Sequence, residues 1–420
     1  AGQRAELLKR PSEAAFGAGD TVRELCLNVK EQGDTALRKY TERFDGIRIE
    51  NFCVPESAFM QAEKIVPGEF KNALAVAISN IKKFHSAQQR IPLYVETMPG
   101  VFCRREIRPI ERVGMYVPAG SAPLPSTVLM LGIPAKIAGC SRIVLCSPPK
   151  ASGTVDPYVL AAARAIGIDE VYCAGGAQAV AALAYGTQSI PKVDKIFGPG
   201  NRYVAAAKQF VSTDPQGAAI DMFAGPSEVF IIADSGADPE IVALDMISQA
   251  EHDPDSQAVL VTTDPKLAAQ VAEILPSIAA RFPRNMIVEK SLKNSFTFIA
   301  DTQESALRFA NDYAPEHLIL NTADAELLVP FIINAGSVFV GRCTPVTAGD
   351  YASGTNHTLP TGGSARWFSG LSLESFQKTV TFQTLTQSGL QQIAPSLTAF
   401  ADAEGLQAHG EAVRRRLVQK

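Results

Sequence analysis

From about residue 110 onward, short β-branched runs bounded by Gly or Pro alternate with Ala-rich stretches of helical length. Few folds accommodate that rhythm. Arg142–Cys146 precedes Tyr158–Ile166, Glu170–Cys173 precedes Ala177–Tyr185, and Lys195–Phe197 precedes Asn201–Lys208. A second series places strands at Glu228–Ala233, Ala258–Thr262, Thr297–Ala300, His317–Leu320 and Ser337–Val340, with helices near 238–250, 264–274, 303–311 and 324–333. Nearly continuous apolar strands separated by helices predict parallel sheets covered on both faces. Two series of similar size, with no residue-level repeat, predict two doubly wound α/β units.

The flanks read differently. Residues 1–90 are mostly helical by spacing, with Glu24–Lys30 and Phe70–Ser86 placing apolar residues three and four apart. His85 would end the second of these as a polar cap. Ala348–Arg366 is rich in Gly, Ser and Thr and lacks periodicity, so a loop of functional length is expected. From about 370 the chain returns to helix, ending in Arg414-Arg-Arg as a solvated terminus.

Charge removes one function class. Lys plus Arg is 39 against 43 for Asp plus Glu, a net of −4, so no basic excess is available to neutralise nucleic-acid phosphates. No apolar stretch approaches the roughly 18–20 residues of a membrane span. The seven cysteines form no CxxC pair, which argues against a disulfide framework or zinc knuckle and for a reducing, cytoplasmic compartment. The start, Ala1–Arg10, is charged and helix-like without the apolar centre of a secretory signal. The missing initiator Met leaves open that a tag or transit segment was removed.

No G-x-G-x-x-G occurs. Gly175-Gly-Ala-Gln178 and Phe197-Gly-Pro-Gly-Asn201 stand at strand ends instead, each opening a helix. Such turns admit a phosphate to backbone N–H groups, or simply use Gly for steric reasons. Tyr116 begins a proline-braced loop and could stack on a base or wall the core. In Ile220–Val229, Ser227 is a plausible ligand contact, with no neighbouring His to make it a nucleophile. Gln249 and His252 are three apart, a spacing that presents both on one helical face. They suit a cation such as zinc, or a solvated helix end. Glu316-His317 opens a strand, where a carboxylate and an imidazole can both reach a cleft and move protons near neutral pH. Asp350 and His357 bracket the Gly-rich loop, and Glu404 and His409 lie five apart on an expected helix.

These segments together resemble the histidinol dehydrogenase family from about residue 20 to the C-terminus. The resemblance is carried by Ile220-Asp-Met-Phe-Ala-Gly-Pro-Ser-Glu-Val through Ser248-Gln-Ala-Glu-His252, by Tyr313-Ala-Pro-Glu316-His317-Leu-Ile, and by Gly349-Asp350-Tyr-Ala-Ser-Gly-Thr-Asn-His357-Thr-Leu-Pro-Thr. It implies two incomplete Rossmann-like doubly wound units with helical N- and C-terminal segments. Residues 1–20 would be an N-terminal helical segment, and 21–110 with 228–365 the domain bearing zinc and substrate. Residues 111–227 would carry the NAD loops, and 366–420 would dimerise and complete the partner's site.

It further implies an NAD-dependent, zinc-containing homodimer that oxidises L-histidinol to L-histidine through L-histidinal. The implied zinc ligands are Gln249, His252, Asp350 and His409, and the proton-transfer residues Glu316 and His317. Substrate contacts would be Ser227, His317, His357 and Glu404 besides the metal ligands, and NAD contacts Tyr116, Gln178 and Asn201. A zinc hydrolase using Glu316 or His317 on metal-bound water, or a non-catalytic nucleotide binder, would share many of these residues. Reduction of NAD+ on adding histidinol separates the dehydrogenase from both.

Overall fold

The computed structural model describes residues 7–10, 19–119, 122–222 and 225–418. The helix-like reading of Ala1–Arg10 therefore lies outside the described residues through residue 6, as do Gly120 and Ser121 of the proline-braced loop and Phe223 and Ala224. The chain divides into two compact units, Ala1–Ala87 with Ile110–Phe376 and Gln88–Pro109 with Gln377–Lys420.

Among the described residues, four helices, Gly19–Gln32, Asp34–Asp45, Glu56–Ile65 and Gly68–Ser86, precede the first two strands, β1 (Leu93–Met98) and β2 (Val101–Pro109). A parallel sheet follows, built of β3 (Arg112–Tyr116), β4 (Arg142–Ser147), β5 (Val171–Cys173), β6 (Lys195–Phe197) and β7 (Ala219–Ile220). A second holds β8 (Glu228–Ala233), β9 (Gln257–Thr262), β10 (Phe296–Ile299), β11 (His317–Asn321) and β12 (Ser337–Val340). The last strand is β13 (Gln377–Leu385).

The spatial orders are β5-β4-β3-β6-β7 and β10-β9-β8-β11-β12, with every pair parallel. Counted from its own first strand, each sheet runs 3-2-1-4-5, the Rossmann order without its sixth strand. The expected α/β class with two incomplete doubly wound units is thus the observed one.

Local chemistry explains the alternation. Val229, Ile231 and Ala233 of β8 join one core cluster while Phe230 and Ile232 join another, so the strand is apolar on both sides because helices cover both. Helices Pro157–Ala165, Pro239–Ala250 and Pro265–Ala279 each start with Asp-Pro. The carboxylates of Asp156, Asp238 and Asp264 accept a first-turn N–H, and Pro needs none.

Four expectations change. The stretch 324–333 splits into the helix Ala325–Leu328 and a 3-10 turn Val329–Phe331, with Pro330 inside the turn. Asp350 sits on a short helix, Val346–Tyr351, at the start of the presumed loop. His85 is fully buried instead of capping a solvated end. Gln377–Leu385, expected as helix, is a strand. Its β-branched and aromatic residues pair antiparallel with β2, completing the three-stranded sheet β1-β2-β13 of the smaller unit. The helices Gln387–Ala403 and Gln407–Val418 complete that unit. No described helix is long and apolar enough to cross a membrane.

Candidate active site

The Glu-His pair lies at the amino end of β11, beside the amino end of its neighbour β8. One residue of β8 holds both side chains. The Glu228 backbone N–H donates to Glu316 Oε2 at 2.8 Å, and the Glu228 carbonyl lies 3.0 Å from His317 Nδ1. A carbonyl only accepts, so Nδ1 carries the proton and Nε2 is the nitrogen left for chemistry. His317 Nδ1 is 3.5 Å from Glu316 Oε2, and Nε2 is 3.6 Å from Asp350 Oδ1 with no hydrogen-bond partner among the described residues. Both residues are buried, at 6% and 5% exposure.

Burial opposes a charge on His317, but the Glu316 and Asp350 carboxylates outweigh it and push its pKa up to about 10. Burial raises Asp350 in turn, and the imidazolium overcomes this to hold it below the usual carboxylate range. His357 behaves oppositely. Its Nδ1 donates to the Asp350 carbonyl at 2.9 Å and its Nε2 accepts from Thr127 Oγ1 at 3.2 Å, so both nitrogens are used by the neutral ring. Burial lowers its pKa accordingly. Ser227 directly precedes Glu228, half-buried.

Two of the expected metal ligands, Gln249 and His252, lie at the end of one helix. Helix Pro239–Ala250 ends before His252, so Gln249 and His252 do not share a helical face as expected. Asp253-Pro254 follows, and a residue before Pro leaves the helical region. Gln249 is 2% exposed, and its amide has no hydrogen-bond partner among the described residues. The His252 imidazole is exposed and likewise free of side-chain hydrogen bonds among them. The amide of Gln249, the open imidazole of His252 and the carboxylate of Asp350 are of the donor types zinc takes. Among the described residues, no group of three or more His, Cys, Asp or Glu side chains is placed to hold a metal. Glu404 and His409 belong to the smaller unit and are exposed there. They do not share one helix: Glu404 caps Gln387–Ala403, Gly405 turns at φ 71°, and His409 lies on Gln407–Val418.

The expected cofactor residues gather at the carboxyl edge of the first sheet, where its strand order reverses and such folds bind nucleotides. Tyr116 ends β3, and its hydroxyl accepts the Gly176 N–H at 3.1 Å. Gln178 reaches Asp45 Oδ2 at 3.4 Å. Both are buried, and Asn201 spends its side-chain oxygen capping the helix Arg202–Thr213. Gly198 packs so closely that a Cβ there would collide with the Tyr116 carbonyl oxygen. Lys208 and Asp221, nearly fully buried, pair beneath this turn and bond the Gly198 C=O and N–H respectively. At the corresponding edge of the second sheet, Asp234 is occupied by Gly236, Ala323 and Arg342.

Sequence reasoning missed Asp45, Thr127, Glu228 and Arg10. Asp45 left a signal, because an acid in the last turn of a helix opposes the helix dipole. Burial pushes it up to about 6.

The histidinol dehydrogenase family profile matches residues 8–417. The chain is 51% identical over 417 residues to histidinol dehydrogenase of Vibrio parahaemolyticus, covering 99% of this chain and 96% of the relative. Identity to the Bacteroides thetaiotaomicron enzyme is 49% over 415 residues, with the same coverages. The crystal structure of histidinol dehydrogenase from Elizabethkingia anophelis matches with a TM-score of 0.95 at 47% identity, over 99% of this chain and 96% of that one. Motifs, strand order and full-length similarity agree, and this chain belongs to the histidinol dehydrogenase family.

Proposed function

We propose that Glu316 and His317 carry the proton transfers of the family reaction, the NAD-dependent four-electron oxidation of L-histidinol to L-histidine through L-histidinal. The supporting observation is that both side chains are held by one peptide, that of Glu228. Alcohol oxidation removes a hydroxyl proton as hydride leaves carbon. With Nδ1 tied to the Glu228 carbonyl, His317 would take that proton at Nε2 once a cation held by Asp350 offsets the carboxylate charge that otherwise keeps the ring protonated. Aldehyde oxidation first adds water. Glu316 Oε2 is held by an N–H, and Oε1, without a hydrogen-bond partner among the described residues, orients and deprotonates that water.

When bound, NAD+ supplies the hydride acceptor and zinc a template for the substrate's nitrogens. Gln249, His252 and Asp350 would hold the metal with His409 of a second copy. Ser227, His357 and Glu404 would add substrate contacts, and Tyr116, Gln178 and Asn201 would shape the NAD crevice. Exposed Glu404 and His409, together with exposed Tyr94, Phe400 and Leu406 in the same unit, support a homodimer with shared sites. All seven cysteines are unpaired, which supports a cytoplasmic setting.

Stoichiometry tests the activity: two NADH should form per histidinol consumed, with histidine as product. One NADH with accumulating histidinal would overturn the four-electron reading.

A further inference from the structure

Glu228 opens β8 with its carboxylate almost completely buried. Its side chain touches no residue assigned to the reaction, yet its peptide positions two. Each carboxylate oxygen is held. Oε1 accepts from Arg10 Nε at 2.6 Å and from the Gly362 N–H at 3.2 Å, and Oε2 accepts from Arg10 Nη2 at 3.3 Å. The same guanidinium donates to the Tyr313 carbonyl at 2.7 Å and the Leu8 carbonyl at 3.0 Å. It also lies 3.3 Å from the centroid of the Tyr313 ring. The Tyr313 hydroxyl in turn donates to Gln257 Oε1 at 2.5 Å, at the start of β9. An arginine near the beginning of the chain thus clamps the entrances of β8 and β9 and the turn leading into Glu316.

We propose that Arg10 is a positioning residue for the Glu316–His317 pair, acting through Glu228. This rests on the assignment of that pair as the proton-transfer residues. A buried ion pair adds little net stability over an apolar pair of the same volume, so its worth here lies in placement. Removing the guanidinium leaves a buried carboxylate without its cation. That carboxylate must then draw in water, take up a proton or shift. Water entry or a shift of the side chain displaces the first peptide of β8, and with it the N–H that holds Glu316 and the carbonyl that holds His317. Lysine keeps the charge but lacks the planar fork that engages Glu228 and the Tyr313 carbonyl together.

The test uses full-length enzyme with zinc and follows NADH formation from histidinal. Arg10→Met should lower kcat on the order of 10²-fold, the scale of a misplacement of about 1 Å, with KM for histidinal and NAD+ little changed. Arg10→Lys should show a smaller fall of the same kind. In a Glu316→Gln background, Arg10→Met should cost nothing further in this step, because the group it positions is already disabled. A purely structural role would instead cost the same factor in both backgrounds. That outcome, or wild-type kcat in either Arg10 variant, overturns the proposal. Should Arg10→Met not fold, Arg10→Lys is read by the same criteria. Wild-type oxidation of histidinal by Glu316→Gln alone would instead overturn the assignment of the pair.

Discussion

Glu228 and Glu316 are 88 residues apart in the chain, yet the backbone N–H of the first donates to the side-chain Oε2 of the second at 2.8 Å. The contact follows from β8 and β11 being neighbours in a parallel sheet whose register sets Val229 beside His317. It holds the proposed general base at a fixed point on rigid strand ends, where its orientation is not left to a loop.

The bond yields a stability prediction. Gln at 316 retains an oxygen that accepts the Glu228 N–H, whereas Ala leaves that buried N–H unpaired, at a cost of about 1–3 kcal/mol. Chemical denaturation should therefore find Glu316→Gln close to wild type and Glu316→Ala lower by that amount. Equal stability of the two variants would contradict the contact.

Asp45 gives a pH dependence. Burial pushes it from an ordinary 3.8 to about 6. As pH rises from about 4 to 6 the unfolded chain ionises this group before the folded one does, so its contribution to stability falls. Asp45→Asn keeps an acceptor for Gln178 and removes the titration. The Tm of Asp45→Asn should exceed that of wild type near pH 7, and the gap should close as pH falls toward 4. A gap independent of pH would show that the carboxyl is not desolvated.

The metal assignment is tested by metal content. His252 is exposed and its side chain forms no hydrogen bond among the described residues, so His252→Asn should leave Tm of the metal-free chain unchanged. Bound zinc after dialysis should fall far below one per chain, and activity should nearly vanish. Stoichiometric zinc in that variant would remove His252 from the ligand set.

Shared sites are tested by complementation. His317→Asn and His409→Asn disable different halves of one composite site, so each alone should be inactive. After verified subunit exchange, heterodimers regain one intact site, and the mixture should recover up to about a quarter of wild-type activity. No recovery would place His409 in its own chain's site or outside any site.

Much of the large unit was legible because its information is local. Asp-Pro before each of three helices, and strands such as Val229–Ala233 buried on both sides, mark element type and ends without reference to partners. Glu316 and His317 were legible as a pair because they are adjacent. What escaped depends on partners distant in sequence. Gln377–Leu385 is a strand because β2 is there to pair with it. Arg10 and Glu228 meet across 218 residues, and Asp45 and Gln178 across 133, with no periodicity to announce either contact. The spacing of Gln249 and His252 predicts one helical face, but spacing says nothing of where the helix stops, which is at Ala250.

In the proposed mechanism His317 serves mainly the alcohol step and Glu316 mainly the aldehyde step. Single-turnover NADH formation, started separately from histidinol and from histidinal, measures the two steps in isolation. Glu316→Gln should oxidise histidinol to the aldehyde level near the wild-type rate and lose about 10²–10⁴-fold from histidinal, the usual worth of a general base. His317→Asn should be slowed by a similar factor from histidinol and much less from histidinal. Equal losses from both substrates in both variants would contradict this division of labour.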